Sequence, residues 1–415
     1  MVRTSVTEQR IQRSLRLFYA FRLLATSYLY VPIFMLFQAS RGLSFFERLA
    51  LGGIFSAVII LVEIPTGVFA DRIGRRRSML LGALTMVASC LIAARAHGFA
   101  TFALAESLGA MSIAMCSGAD SAYLFDFLRE HDRAHEYSRH ESTASAWHLM
   151  GSAVAFAGGG ILAQIDLALP YLVTAGVASI AAVIACVLHD DRPLGDEHTR
   201  GQRPVPSRGL AVLRSWGAQM RDALAEVARN PRLGWLVGYS AVVFVLLRTS
   251  IYIYQPYLQE RGLGPVASGG LFAGVYVVAS AVAYRTYRLR RRFGDETLLW
   301  SLLAILAISF IGLAGAGNGP WMLGLLAIQA IANGLYSPLT KPLLNAEITD
   351  SRGRAAILSV ESMARRAAMG IFAPLVGLWG EADVMLMCGA VGMLGLVLLA
   401  FARVRVRPAS IADEG

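Results

Sequence analysis

The chain has 415 residues, of which 56% are hydrophobic and only 16% charged, with a mean hydropathy of +0.54; a soluble domain usually carries about 25% charged residues, so a water-soluble globule is excluded. The formal net charge of +10 rests on 37 arginines and one lysine set in short clusters between long apolar runs, which excludes a continuous nucleic-acid surface and reads as membrane topology. Cys90, Cys116, Cys186 and Cys388 all fall inside apolar stretches without C-x-x-C or Cys/His spacing, so small buried apolar groups are expected, with no metal centre and no disulfide.

A membrane-crossing helix needs about 20 mainly apolar residues to span roughly 30 Å of hydrocarbon. At the N-terminus, Arg3, Glu8, Arg10, Arg13 and Arg16 precede the first apolar stretch with no short apolar core and small-residue cleavage site, so no cleaved leader is expected. Spans are then expected near 17–38, 46–70, 78–95, 99–127, 142–165, 167–188, 233–257, 266–287, 297–316, 321–345, 356–379 and 384–403. Continuous apolarity marks helices, because barrel strands alternate in pieces of about 10 residues. Gly-Asn-Gly-Pro at 317–320 divides the charge-free run from Thr297 to Thr340 into two of them.

Arginine asymmetry sets the expected orientation. With the N-terminus inside, 29 Lys/Arg fall in cytoplasmic segments and only Arg41, Arg95 and Arg261 in outer loops, so both termini are expected to be cytoplasmic in the inner (plasma) membrane. Between the sixth and seventh spans, His189 to Arg232 carries eight arginines and six acids. The expected domains are therefore a six-span bundle at 1–188, a linker at 189–232 and a second bundle at 233–415, giving an all-α integral membrane protein with twelve transmembrane helices in two pseudo-symmetric six-helix bundles. Leu210, Leu213, Met220, Leu224 and Val227 recur at helical spacing in the linker, consistent with a helix on the membrane surface or with a solvated linker helix. A weak internal repeat at an offset of 220 aligns Phe69 to Arg76 with Leu289 to Gly294 and onward, as in carriers that rock about a midplane site.

Gly67, Asp71, Arg72, Gly74, Arg75 and Arg76, within Gly67-Val-Phe-Ala-Asp-Arg-Ile-Gly-Arg-Arg-Arg77, resemble the G-x-x-x-D-R-x-G-R-R signature between spans 2 and 3 of major facilitator transporters. Physically, Gly67 permits close helix approach, Gly74 a tight turn, and Asp71 supplies an anion for a helix N-terminus. The resemblance implies that Asp71 faces the start of span 11, here led by Asp350 to Arg354, and that Asp126 at the inner end of span 4 pairs with Arg75. Glu63 to Gly67 and Ser117 to Asp126 are similar to the twelve-span drug and metabolite proton antiporters of that superfamily. Span 5 has Gly151 and Gly158 to Gly160 without the antiporter Gly-Pro pair, and Glu106 stands near the place of a span 4 arginine, which leaves the direction of transport open.

Charges inside a bilayer cost at least about 2.5 kcal/mol and are usually paired or face a water-filled path. The acids are Glu63, Glu106, Asp120, Asp126 and Glu361. A continuous helix would put Glu106 and Asp120, fourteen residues apart, on a similar face about 21 Å apart. The resemblance implies that spans 1, 4, 7 and 10 line a central cavity, where such an acid would exchange a proton; a static interhelical pair is the alternative. Arg22 and Arg248, on equivalent spans 1 and 7, can meet an anionic substrate group or pair with the acids. Lys341, at an offset of 221 from Asp120, suggests a pairing between halves. Tyr28, Tyr30, Trp147, Tyr252 and Tyr254 suit either a cavity lining or packing.

The chain has no Walker loop, no H-E-x-x-H and no G-x-S-x-G, so neither an enzyme nor a catalytic site is expected, and no cofactor. The expected function is secondary transport by alternating access, with a small-molecule substrate, protons as coupling ion, membrane lipids around it and no nucleic acid. Proton-coupled efflux of an amphipathic drug or metabolite stands first. Import of a nutrient or siderophore-like solute, lipid movement and a non-transporting receptor are the alternatives.

Overall fold

The computed structural model describes residues 2–189, 209–317, 320–348, 354–380 and 383–402. All regular structure among them is helical. The helices are α1 Val2–Ala25, α2 Phe34–Ser40, α3 Phe45–Ile73, α4 Arg75–Ala94, α5 Phe99–Cys116, α6 Ala119–Glu130, α7 Tyr137–Leu162, α8 Leu169–Val187, α9 Gly209–Arg229, α10 Pro231–Glu260, α11 Pro265–Phe293, α12 Asp295–Gly315, α13 Pro320–Glu347, α14 Arg354–Trp379 and α15 Val384–Phe401, with a 3-10 turn at Ala134–Glu136.

Every expected span overlaps helix, and nine described segments are long and apolar enough to cross a membrane. The expected spans 1, 5 and 11 fall outside that set: span 1 is broken after Ala25, α7 carries Arg139 to Glu141 and His148, and α14 carries Glu361, Arg365 and Arg366. Proline is present inside α3, α10, α13 and α14, as membrane helices tolerate where neighbours re-satisfy the backbone.

Two spans are interrupted. Span 1 leaves α1 after Ala25, runs through turns and resumes as α2 at Phe34. Its freed backbone groups find partners within the bundle: Leu29 N–H donates to Thr174 Oγ1 at 3.1 Å, and Ser152 Oγ donates to Thr26 O at 3.4 Å. Span 4 stops at Cys116 and restarts at Ala119, because Gly118 adopts φ +80°, a left-handed conformation that glycine enters without a steric penalty. The continuous-helix expectation for Glu106 and Asp120 is thereby corrected: they belong to separate helices, and the break resets the phase between them.

The chain forms two compact units, residues 1–201 with 258–274, and 202–257 with 275–415. In the first, α4 packs on α5 and α8, α3 on α5, and α1 on α7 and α8. Close approach there depends on small residues, with Thr174, Ala175, Ala178, Ala181, Ala182 and Ala185 forming the buried face of α8. Dispersion between close-packed helices is the main attraction available when both face lipid. In the second unit α12 packs on α13 and α15, and α9 packs on α14. Met220 and Ala223 are buried on α9 while Leu224 is exposed; part of the linker's apolar face is thus covered by protein. Leu210 and Leu213 lie outside the described side chains.

Candidate functional site

At the turn between α3 and α4, Gly74 has φ +94° and ends one helix while starting the next. A side chain there would be strained, so the sharp reversal depends on glycine. The reversal presents Arg75 and Arg76 from the first turn of α4. Arg75 Nε lies 3.1 Å from Asp126 Oδ2, whose other oxygen is 3.2 Å from Arg129 Nη2. Arg76 Nη1 donates to Leu188 O at 3.1 Å and to Cys186 O at 3.3 Å, placing a cation on the negative C-terminal end of α8. Gly67 has open space about it. The side chains of Asp71 and Arg72, and residues 349–353 before α14, lie outside the described residues. The turn recurs at Gly294, φ +77°, where Arg290 holds Asp295 through two contacts of 2.6 and 3.0 Å.

A second cluster lies deeper in the same unit. Arg22 in the last turn of α1 is ion-paired through Nη1 with Asp120 Oδ2 in the first turn of α6, and its Nη2 is 3.6 Å from Glu141 Oε1 on α7. Ser121 closes the group: its N–H donates to Asp120 Oδ1 at 2.7 Å and its hydroxyl to Glu141 Oε1 at 3.0 Å. The break at Gly118 matters here, since it creates a helix N-terminus beside Asp120 whose positive end favours the carboxylate. Arg22 and Asp120 are only 14% and 12% exposed at the side chain, so each is costly without the other.

Beside this cluster a polar chain runs toward the motif side. Tyr19 OH is 2.5 Å from His140 Nδ1, and His140 Nε2 is 3.1 Å from Glu136 Oε2. Arg133 grips Glu136 through contacts of 2.7 and 2.9 Å and reaches Glu8 at 3.1 Å. The Arg133 hydrogen bonds, followed by that of His140, hold the Glu136 carboxyl down at about 2.

The remaining candidates are dispersed. Glu106 accepts from Gln38 Nε2 at 3.4 Å, in a neighbourhood where Tyr30 stacks on Tyr171 with centroids 4.7 Å apart. Glu63 is half-buried on α3. The Arg248 guanidinium lies 5.9 Å from the Tyr252 ring centroid, and Lys341 is exposed on α13 with no ion pair among the described residues. Asp120 takes its partner from its own unit, in Arg22.

Two groups escaped the sequence reading as site residues. Glu141 was not singled out, standing just before the expected fifth span at 142–165. Glu361 was noted only as an acid, yet it accepts a hydrogen bond from Ser240 Oγ and lies 2.7 Å from Arg365 Nε, while Ser240 Oγ is also 2.7 Å from Tyr336 OH. The 220-residue repeat was the available signal. It superposes Glu141 on Glu361, and Arg41-Gly42-Leu43 on Arg261-Gly262-Leu263, where Gly42 and Gly262 share φ values of +84° and +73°.

A polytopic helical bundle with internal repeats, two interrupted spans and intramembrane ion pairs defines the class of membrane transporters. The chain belongs to the Major Facilitator Superfamily, whose family model matches residues 17–374. It is 18% identical over 302 residues to the quinolone resistance protein NorA of Staphylococcus aureus, covering 72% of each chain. It is 24% identical over 292 residues to the class C tetracycline resistance protein of Escherichia coli, covering 68% of this chain and 67% of that one. In architecture it is similar to a mutant of the nucleoside transporter NupG, with TM-score 0.78 at 11% identity over 95% of this chain and 100% of that one. A bacterial homologue of the human lysosomal transporter Spinster, inward-facing and occupied, gives TM-score 0.71 at 16% identity over 95% and 96%. The protein is thus a multi-pass membrane transporter for a small-molecule substrate.

Proposed function

We propose that this transporter exports amphipathic drugs or metabolites in exchange for protons, across the plasma (inner) membrane, with both termini in the cytoplasm. The observation that carries the reading is the Arg22, Asp120 and Glu141 cluster. A static fold has little use for two acids around one buried arginine, whereas a proton-driven carrier needs an acid whose charge changes during its cycle. The resistance proteins to which the chain is similar support export of drug-like solutes, and the arginine asymmetry supports the orientation.

The mechanism is alternating access, in which two six-span bundles rock about a midplane site. Substrate and proton drive the cycle only by binding one state better than the other. Glu106 and Asp120 are carboxylates of the cavity span in this scheme, with Lys341 and Arg248 as basic groups of the other half and Glu63 as an anchor of span 2. The test is transport of norfloxacin, tetracycline and ethidium by purified protein in proteoliposomes with imposed pH gradients of either sign. Drug movement against an inward proton gradient is expected. Accumulation in the same direction as the protons would favour import, and absence of flux for every compound and gradient would overturn the proposal.

A further inference from the structure

The Arg22 cluster has more hydrogen-bonding capacity than its contacts use. Both Asp120 oxygens have partners: Oδ2 faces Arg22 and Oδ1 takes the Ser121 N–H at 2.7 Å. Glu141 is different. Its Oε1 is shared between the Ser121 hydroxyl at 3.0 Å and Arg22 Nη2 at 3.6 Å, while Oε2 is buried with no hydrogen-bond partner among the described residues. Arg22 Nε and His148 Nδ1 are likewise buried and unpartnered. His148 stands seven residues beyond Glu141 on α7, about two turns and roughly 10 Å along the same face. Buried polar atoms are nearly always satisfied, so an open carboxylate oxygen beside a shared arginine marks Glu141 as the acid of the cluster whose charge is least neutralised.

We propose that Glu141 is the proton-exchanging carboxylate of this unit, with Arg22 shared between it and Asp120. This rests on the proton-coupled reading above and names the residue that performs it. A proton from water on one side of the membrane adds to Glu141 Oε2. The side chain becomes neutral, its attraction for Arg22 Nη2 falls away, and Arg22 stays with Asp120 alone. Loss of that proton to the other side restores the anion and the shared arginine. One O–H bond forms and later breaks, and no electrons change hands. The groups facing Glu141 are Arg22 from α1, Ser121 from α6 with Asp120 beside it, and Tyr137 from α7; Tyr19, His140 and Glu136 form the adjoining chain, and His148 stands two turns further along α7.

The carboxylic-acid C=O stretch, followed by infrared difference spectroscopy during pH titration of the full-length purified protein, reads the proton without any substrate. The chain has 28 Asp and Glu, so the wild type is expected to show a composite band that disappears as pH rises, with one component from Glu141, isolated as the wild-type-minus-variant difference. That component is expected to be lost in Glu141→Gln, present in Asp120→Asn and Glu106→Gln, and present at a shifted frequency in Glu141→Asp, which keeps a carboxyl should the amide variant fold poorly. A Glu141→Gln titration identical to the wild type in every component would overturn the assignment. Failure of the transport reading is seen separately, as a titrating Glu141 band in a protein that moves no norfloxacin, tetracycline or ethidium under a pH gradient.

Discussion

Arg75 Nε stands 3.1 Å from Asp126 Oδ2 and so ties the first turn of α4 to α6. Arg129 approaches the same carboxylate at 3.2 Å, which makes Asp126 the neutralising group between two cations. Asp126→Asn leaves the arginines facing one another. Expression is expected to remain largely intact while gradient-driven flux falls. Contacts of this kind contribute about 0.3 to 2 kcal/mol, and about 1.4 kcal/mol changes a two-state ratio tenfold. Asp71→Asn is expected to act in the same direction, toward the inward-open state. Spin-label distance distributions across the halves check both variants; unchanged distributions with wild-type flux would reduce the motif to a topology signal.

Arg76 acts on a helix end rather than on an acid. Arg76→Gln removes the cation from Leu188 O and Cys186 O and is expected to cost roughly 0.3 to 1 kcal/mol of stability. The readout is the unfolding temperature in detergent, with Arg77→Gln, an exposed neighbour, as the comparison expected to change little.

Adjacent glycines on α7 are expected to respond very differently to one methyl group. A Cβ at Gly159 would come within 1.9 Å of Leu29 O, whereas at Gly158 it would meet nothing within 4 Å. Gly159→Ala must displace backbone that Leu29 N–H anchors on Thr174, an overpacking cost of about 1 to 3 kcal/mol or more. Fluorescence size-exclusion profiles and melting temperatures should show Gly159→Ala impaired and Gly158→Ala near wild type. Equal behaviour would mean that α7 and the interrupted part of span 1 do not approach this closely.

Glu136 gives a pH signature. Its carboxyl is held at about 2 in the folded protein, below an ordinary value of 4.5, so the unfolded chain takes up its proton first as pH falls. The stabilisation is complete above about pH 4.5 and disappears as pH falls toward about 2. Its partial exposure keeps the effect small through solvent screening. The difference in melting temperature between wild type and Glu136→Gln should be constant near neutrality and shrink through that acidic window. A difference that grows on acidification would contradict the Arg133 contact.

Helix positions were legible because apolar run length is a direct requirement of the bilayer, and the tight turn at Gly74 was legible because its arginines and glycine are local in sequence. The helix breaks were not. Gly118 sits inside an apolar run, where one glycine is usually tolerated, and only its φ shows that the chain stops and restarts. Glu141 was hidden by its neighbours Arg139 and His140, which give that stretch the look of a solvated loop. Arg76 binds backbone carbonyls, partners that carry no side-chain signature.

Helix α6 is only twelve residues long, Ala119–Glu130, yet it carries Asp120 and Ser121 near one end and Asp126 toward the other. Gly118 separates this short rod from α5, and the three side chains share it. A tilt of α6 would strain the Arg22 ion pair and the Arg75 contact together. In the proposed cycle, a change at the deep cluster would reach the motif turn through about 9 Å of a single helix, between Asp120 and Asp126.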